Sequence, residues 1–227
     1  MLLALALDAL FFTGFYASDD IQYIDACVSL AKDGHMAAAF GNTRIGVTLP
    51  GAVVYWITHS LSALVWFHVV YHLALVPIAY VLGRLLLDER AGLIAAALVA
   101  INPLFYGYAG AVLPDNSATC CLGLALIALL ATRRFADPGT TLWSWSTRRA
   151  AGYVIAGAMI GFCYWCKESA IIFTIPAALM IMTAGPSLRS LVWIQNGALF
   201  ALGLAVVFAL ELVVLRTVTG QWINRLT

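Results

Sequence analysis

The sequence predicts an all-α, polytopic transmembrane bundle: about seven spanning helices, with an amphipathic helix lying at the interface after the first. Three observations predict it. Hydrophobic residues make up 63% of the 227 residues and charged ones only 10%, at a mean hydropathy of +0.94. The apolar residues gather in runs long enough to cross a bilayer, which takes roughly 20 residues per helix. The runs are also continuous, whereas a spanning β-barrel would alternate apolar and polar positions.

In order, the spans read as about 1–15, a segment within 47–83, then 91–107, 116–132, 150–166, 168–184 and 191–214. The first is short, carries Asp8 and lacks a basic leader, so it makes a poor signal peptide. With the abrupt stop after 221–227, it suggests a single module over 1–227 taken from a longer protein. The polar interval 16–46 places Ile21, Ile24, Val28 and Ala31 at helical spacing, opposed by Gln22, Asp25, Ser29 and Lys32. That pattern is an interfacial amphipathic helix with Ser18 as N-cap, Asp19 and Asp20 in the first turn, and Gly34 at its end. The loop 133–149, with Asp137-Pro138-Gly139, reads as a surface connection.

Charge then orients the bundle. Arg84, Arg90, Arg133, Arg134, Arg148, Arg149 and Arg189 fall in loops on one side, which the positive-inside rule makes cytoplasmic. The other side receives Asp19, Asp20, Asp25, Asp33, Asp115 and Glu168, with Lys32, Arg44 and Lys167 among them and Arg216 and Arg225 in the tail. A net charge of +1 points to no nucleic-acid partner. The expected setting is an integral multi-pass protein of the plasma or inner membrane, its polar face turned away from the cytoplasm.

On that face four features converge: the Asp19-Asp20 pair, Arg44 ahead of Pro50, Asp115 after Pro114, and Lys167-Glu168 between two spans. Each has an ordinary reading. Asp115 suits a helix start, Arg44 can snorkel, and Lys167 can pair with Glu168 in a turn. Carboxylates at a membrane boundary are nonetheless costly, and all four features share one side.

The order of these motifs resembles that of the GT-C glycosyltransferases. It runs Asp19-Asp20-Ile21-Gln22-Tyr23, an amphipathic helix, Thr43-Arg44-Ile45-Gly46 leading to Pro50, Asn102-Pro103-Leu104, then Leu113-Pro114-Asp115. The nearest branch is similar to the protein O-mannosyltransferase and aminoarabinose-transferase type, and the chain covers only the N-terminal half of such an enzyme. The resemblance implies transfer, with inversion, of a sugar from a polyprenyl-phosphate donor (undecaprenyl or dolichyl) to a protein, lipid or glycan hydroxyl. It makes Asp19 the catalytic base and Asp115 the second acidic position, in contact with donor or acceptor hydroxyls. The chemistry agrees: an acceptor hydroxyl needs a base, and a departing phosphate needs positive charge but no general acid. Asp20 would orient groups or set the local field, Arg44 and Lys167 would contact the phosphate, and Glu168 would pair with Lys167. No metal or other cofactor is called for, although acidic pairs can hold a divalent cation.

Other signals are weaker. Cys163-Tyr164-Trp165-Cys166 is a CxxC with no partner pair to exchange with, and Cys27, Cys120 and Cys121 read as packing residues. His68 and His72 have metal spacing but no further ligands in sight, so interhelical hydrogen bonding or packing is expected. Phosphate-cradling glycine loops are absent from the sequence, which argues against ATP and soluble nucleotide sugars as donors. The rival expectations are a transporter with a charged outer vestibule, or an inactive half-protein serving as scaffold or subunit.

Overall fold

The computed structural model describes residues 1–12, 19–39, 41–134, 147–183 and 192–222. Among these residues every regular element is a helix. The elements are α1 (Leu2–Leu10), α2 (Asp19–Asp33), α3 (Ile45–Thr58), α4 (Leu61–Leu86), α5 (Glu89–Ile101), α6 (Pro103–Ala109), α7 (Pro114–Arg134) and α8 (Thr147–Cys166). A 3₁₀ turn (Glu168–Phe173), α9 (Thr174–Met182) and α10 (Val192–Thr219) complete them. Ser18, Arg189, Arg225 and the surface connection expected around 137–139 lie outside the described residues.

Three helices, α4, α7 and α10, are long and apolar enough to cross a membrane, and a fourth span results if the bent pair α5–α6 counts as one. The expectation of seven full spans is therefore not met by length and composition among the described residues. α1 has 9 residues and α3 has 14. α8 has 20 residues but opens with Arg148 and Arg149. The run read as one span within 47–83 is two helices, because His59 caps α3 in the left-handed region at φ 52°. The run read as 91–107 bends by 53° between α5 and α6, where Asn102 caps the new helix and Pro103 starts it. The run read as 168–184 opens as a 3₁₀ turn before α9.

Helix α2 ends at Gly34, which takes φ 71° as a helix-terminating glycine should. Its buried face shares Ile24 and the core-packed Val28 with the predicted one but is turned away from Ile21. Asp20, Tyr23, Ile24 and Cys27 point inward at helical spacing, while Ile21 is 46% exposed. The inward face is set by α3, whose Gly51 leaves room for the Cys27 sulfur. The core so formed joins Tyr23, Ile24 and Cys27 to Val47 of α3, Leu64 of α4, Ala118 of α7 and Cys163 of α8. All five cysteines are free thiols, and all but Cys121 are buried.

Helix α8 packs between α7 and α10. It approaches α10 closely because both helices offer glycine at the crossing. A Cβ on Gly157 would collide with the Phe200 carbonyl, and one on Gly203 with the Val154 carbonyl. This packing fixes the end of α8, and with it the segment that carries Lys167.

Candidate functional site

Four helix ends meet around a cavity of about 520 Å³. The start of α2 brings Asp19 and Asp20, the first turn of α7 brings Asp115, and the residue after α8 brings Lys167. The remaining wall is Pro103, Leu104, Gly107 and Tyr108 of α6, together with Leu113. A smaller cavity of about 210 Å³ adjoins it, and Asp115 and Lys167 line both.

Local backbone explains these placements. Pro114 starts α7, so Asp115 sits in the first turn, where the helix dipole favours a carboxylate. Lys167 takes an extended conformation between α8 and the 3₁₀ turn, which turns its side chain away from that of Glu168. Its Nζ donates to Asp115 Oδ1 at 2.6 Å, with side chains 39% and 30% exposed. The expected Lys167–Glu168 pairing is thus replaced, because extended backbone sends neighbouring side chains in opposite directions.

Glu168 accepts instead from Arg44 Nε, at 3.1 and 3.3 Å to its two oxygens. Arg44 also donates from Nη1 to the Tyr23 hydroxyl and stacks over that ring, 5.8 Å from its centroid. Burial pushes the Tyr23 phenol above the usual tyrosine range, although the Arg44 charge pulls the other way. Neither Arg44 nor Glu168 lines the 520 Å³ cavity. The two residues instead tie the start of α3 and the face of α2 to the segment after α8.

Of the six residues singled out by sequence, Asp19, Asp20, Asp115 and Lys167 therefore share one cavity, and Arg44 and Glu168 form an ion pair outside its lining. Asp19 is exposed, while Asp20 is 1% exposed and engaged within the protein. Two partners were missed. Tyr23 follows Asp19 by four residues on the same helix, a spacing that could have drawn attention to it. Tyr108 carried no signal, since only the bend after α5 brings it to the cavity. Three carboxylates face one ammonium in that cavity, so it can take up a proton from a hydroxyl and can hold one anionic group by exchange at Lys167. Among the described residues, no group of three His, Cys, Asp or Glu side chains is close enough to hold a metal ion.

Neither a curated protein nor a solved structure matches the chain. A family model does, over residues 51–215, a stretch that contains Asp115, Lys167 and Glu168 and begins after Asp19, Asp20 and Arg44. That stretch is well over half of the sequence, and its family is the dolichyl-phosphate-mannose-protein mannosyltransferases, to which this chain belongs.

Proposed function

We propose that the chain carries the transfer site of a membrane glycosyltransferase that moves a sugar from a polyprenyl phosphate to an acceptor hydroxyl, with inversion, on the extracytoplasmic face. The observation that carries this reading is the shared cavity: Asp19, Asp20, Asp115 and Lys167 come from three distant parts of the chain and line one hollow. Family membership supports glycosyl transfer in general.

Asp19, exposed at the cavity, takes the proton of the acceptor hydroxyl. The freed oxygen attacks the anomeric carbon from the side opposite the phosphate. The bond from that carbon to the phosphate oxygen breaks, and polyprenyl phosphate leaves as an anion without protonation. Lys167 stabilises that anion, and since its ammonium is already held by Asp115, the phosphate displaces this carboxylate. Asp115 is then free to accept from a sugar or acceptor hydroxyl. Asp20, buried next to Asp19, sets the local field. Arg44, read from sequence as a phosphate contact, serves through Glu168 and Tyr23 to hold the two sides of the cavity together.

The orientation rests on two supports. Asp115 and Lys167 mark the same end of the α7–α8 hairpin, and Arg133 and Arg148 mark the other. Seven crossings remain part of the proposal, with α1, α8 and the 3₁₀–α9 segment completing the four spans recognised by length. A transporter would place free polar groups near the membrane centre; of the three candidates there, Asp8 and His72 are bonded to each other and His68 bonds the Leu64 carbonyl of its own helix, which leaves only His68 Nε2 unpartnered.

The test is reconstitution of the full-length protein in vesicles with radiolabelled polyprenyl-phosphate mannose, or with a nucleotide-linked mannose as the competing donor. Release of polyprenyl phosphate matched by label on a hydroxyl acceptor is expected only with the lipid donor. Transfer from the nucleotide donor alone would refute the reading.

A further inference from the structure

The bend that builds the cavity wall leaves a carbonyl without its helical donor. In an unbroken helix Val99 would accept from residue 103, but that residue is Pro103 and has no N–H. Asn102 N reaches the Val99 oxygen at 3.4 Å in a tighter turn, and His72 Nε2 lies 3.2 Å from it. The other ring nitrogen of His72 lies 2.8 and 3.0 Å from the two carboxylate oxygens of Asp8. Both side chains are fully buried, at 0% exposure.

The Val99 carbonyl only accepts, so Nε2 carries a proton, and a second proton lies between Nδ1 and the Asp8 carboxyl. The pair is neutral as a whole, which is how two ionisable groups persist among spanning helices. Its reach extends into α6. The His72 ring stacks on Phe105, with centroids 6.4 Å apart and planes at 18°. Phe11, which caps α1 three residues after Asp8, stacks on Tyr106 at 5.3 Å. From the other side Asn116 donates to the Phe105 carbonyl at 2.9 Å.

We infer that Asp8 and His72 are positioning residues: they hold the bend between α5 and α6 and so set the wall formed by Pro103, Leu104, Gly107 and Tyr108. The inference deepens the proposed transfer function and rests on it for its catalytic consequence, but not for its structural one. Neither residue touches the cavity; both act through α6.

The experiment uses the full chain in lipid nanodiscs, with Tyr108→Cys placed on the wall and labelled by a water-soluble maleimide over the background of the native thiols. His72→Phe keeps a ring but removes both bonds. Asp8→Asn keeps them all, since its amide donates to Nδ1 while Nε2–H still serves Val99. His72→Phe is expected to change the labelling rate of the introduced thiol by at least about threefold, with Asp8→Asn within about twofold of its parent. In the sugar-transfer assay, with Tyr108 restored, His72→Phe should lower kcat by about tenfold or more, and Asp8→Asn should keep most of the parental rate. Should His72→Phe fail to insert, His72→Gln, which retains one donor, is read by the same labelling with the same direction expected. A labelling rate unchanged in the inserted His72 variant overturns the inference. A changed rate in a protein that transfers no sugar leaves the inference standing and removes the proposed function instead.

Discussion

Two of the paired acid–base contacts among the described residues are built in opposite ways. Around the cavity, Lys167 and Asp115 are 39% and 30% exposed, joined by one contact, and free to exchange partners with a ligand. Within the bundle, Asp8 and His72 are wholly buried and joined by two contacts, with the remaining ring nitrogen committed to a backbone carbonyl. Exposed pairs contribute about 0–1 kcal/mol, while leaving a buried polar group without its partner costs about 1–3 kcal/mol. A weak pair suits a site that must open to substrate, and a strong one suits a support that must not move.

The largest effect expected from breaking this contrast is at the cavity's base. Asp19→Asn should lower the transfer rate by about 10²–10⁴-fold with little change in thermal stability, measured by single-turnover kinetics on stably inserted protein. Next comes the support. Asp8→Leu leaves His72 Nδ1 buried without a partner and should cost about 1–3 kcal/mol of stability, seen in denaturant unfolding in detergent, whereas Asp8→Asn should cost far less. Lys167→Met should lower kcat/KM for the donor by roughly 10–100-fold, with kcat falling as well as KM rising, the loss of one charge-assisted contact to the departing phosphate. The smallest effect is at the tie between α2, α3 and the 3₁₀ turn. Glu168→Gln and Arg44→Ala should each cost about 1–2 kcal/mol, and the double variant no more than the larger single one, in the same unfolding measurement. If Arg44→Ala raised the donor KM while Glu168→Gln did not, Arg44 would be a phosphate contact after all.

What could be read from sequence follows the same division. Charge inside a hydrophobic chain is costly, so Asp19, Asp20, Asp115 and Lys167 stood out, and the structure brings them to one cavity. Hydropathy says how apolar a run is, not where its backbone turns. The turn at His59, the bend at Asn102–Pro103 and the 3₁₀ start at Glu168 therefore divided runs that read as continuous spans. Sequence places Ile21 with Ile24 and Val28 on the buried face of α2, but Tyr23 and Cys27 are as well suited to burial as Ile21, and only the position of α3 decides between them. Partner choice across the chain was out of reach. Arg44 and Glu168 are 124 residues apart, and Asp8 and His72 are 64 apart, so each side chain could be noticed but not paired.

The most direct measurement is the structure of the full-length protein bound to a polyprenyl-phosphate sugar. The donor phosphate is expected on Lys167, with Asp115 displaced from it and the anomeric carbon turned toward Asp19. A donor bound at the end of the bundle that carries Arg133 and Arg148, or in the cavity with Lys167 and Asp115 still joined and the sugar facing away from Asp19, would contradict it.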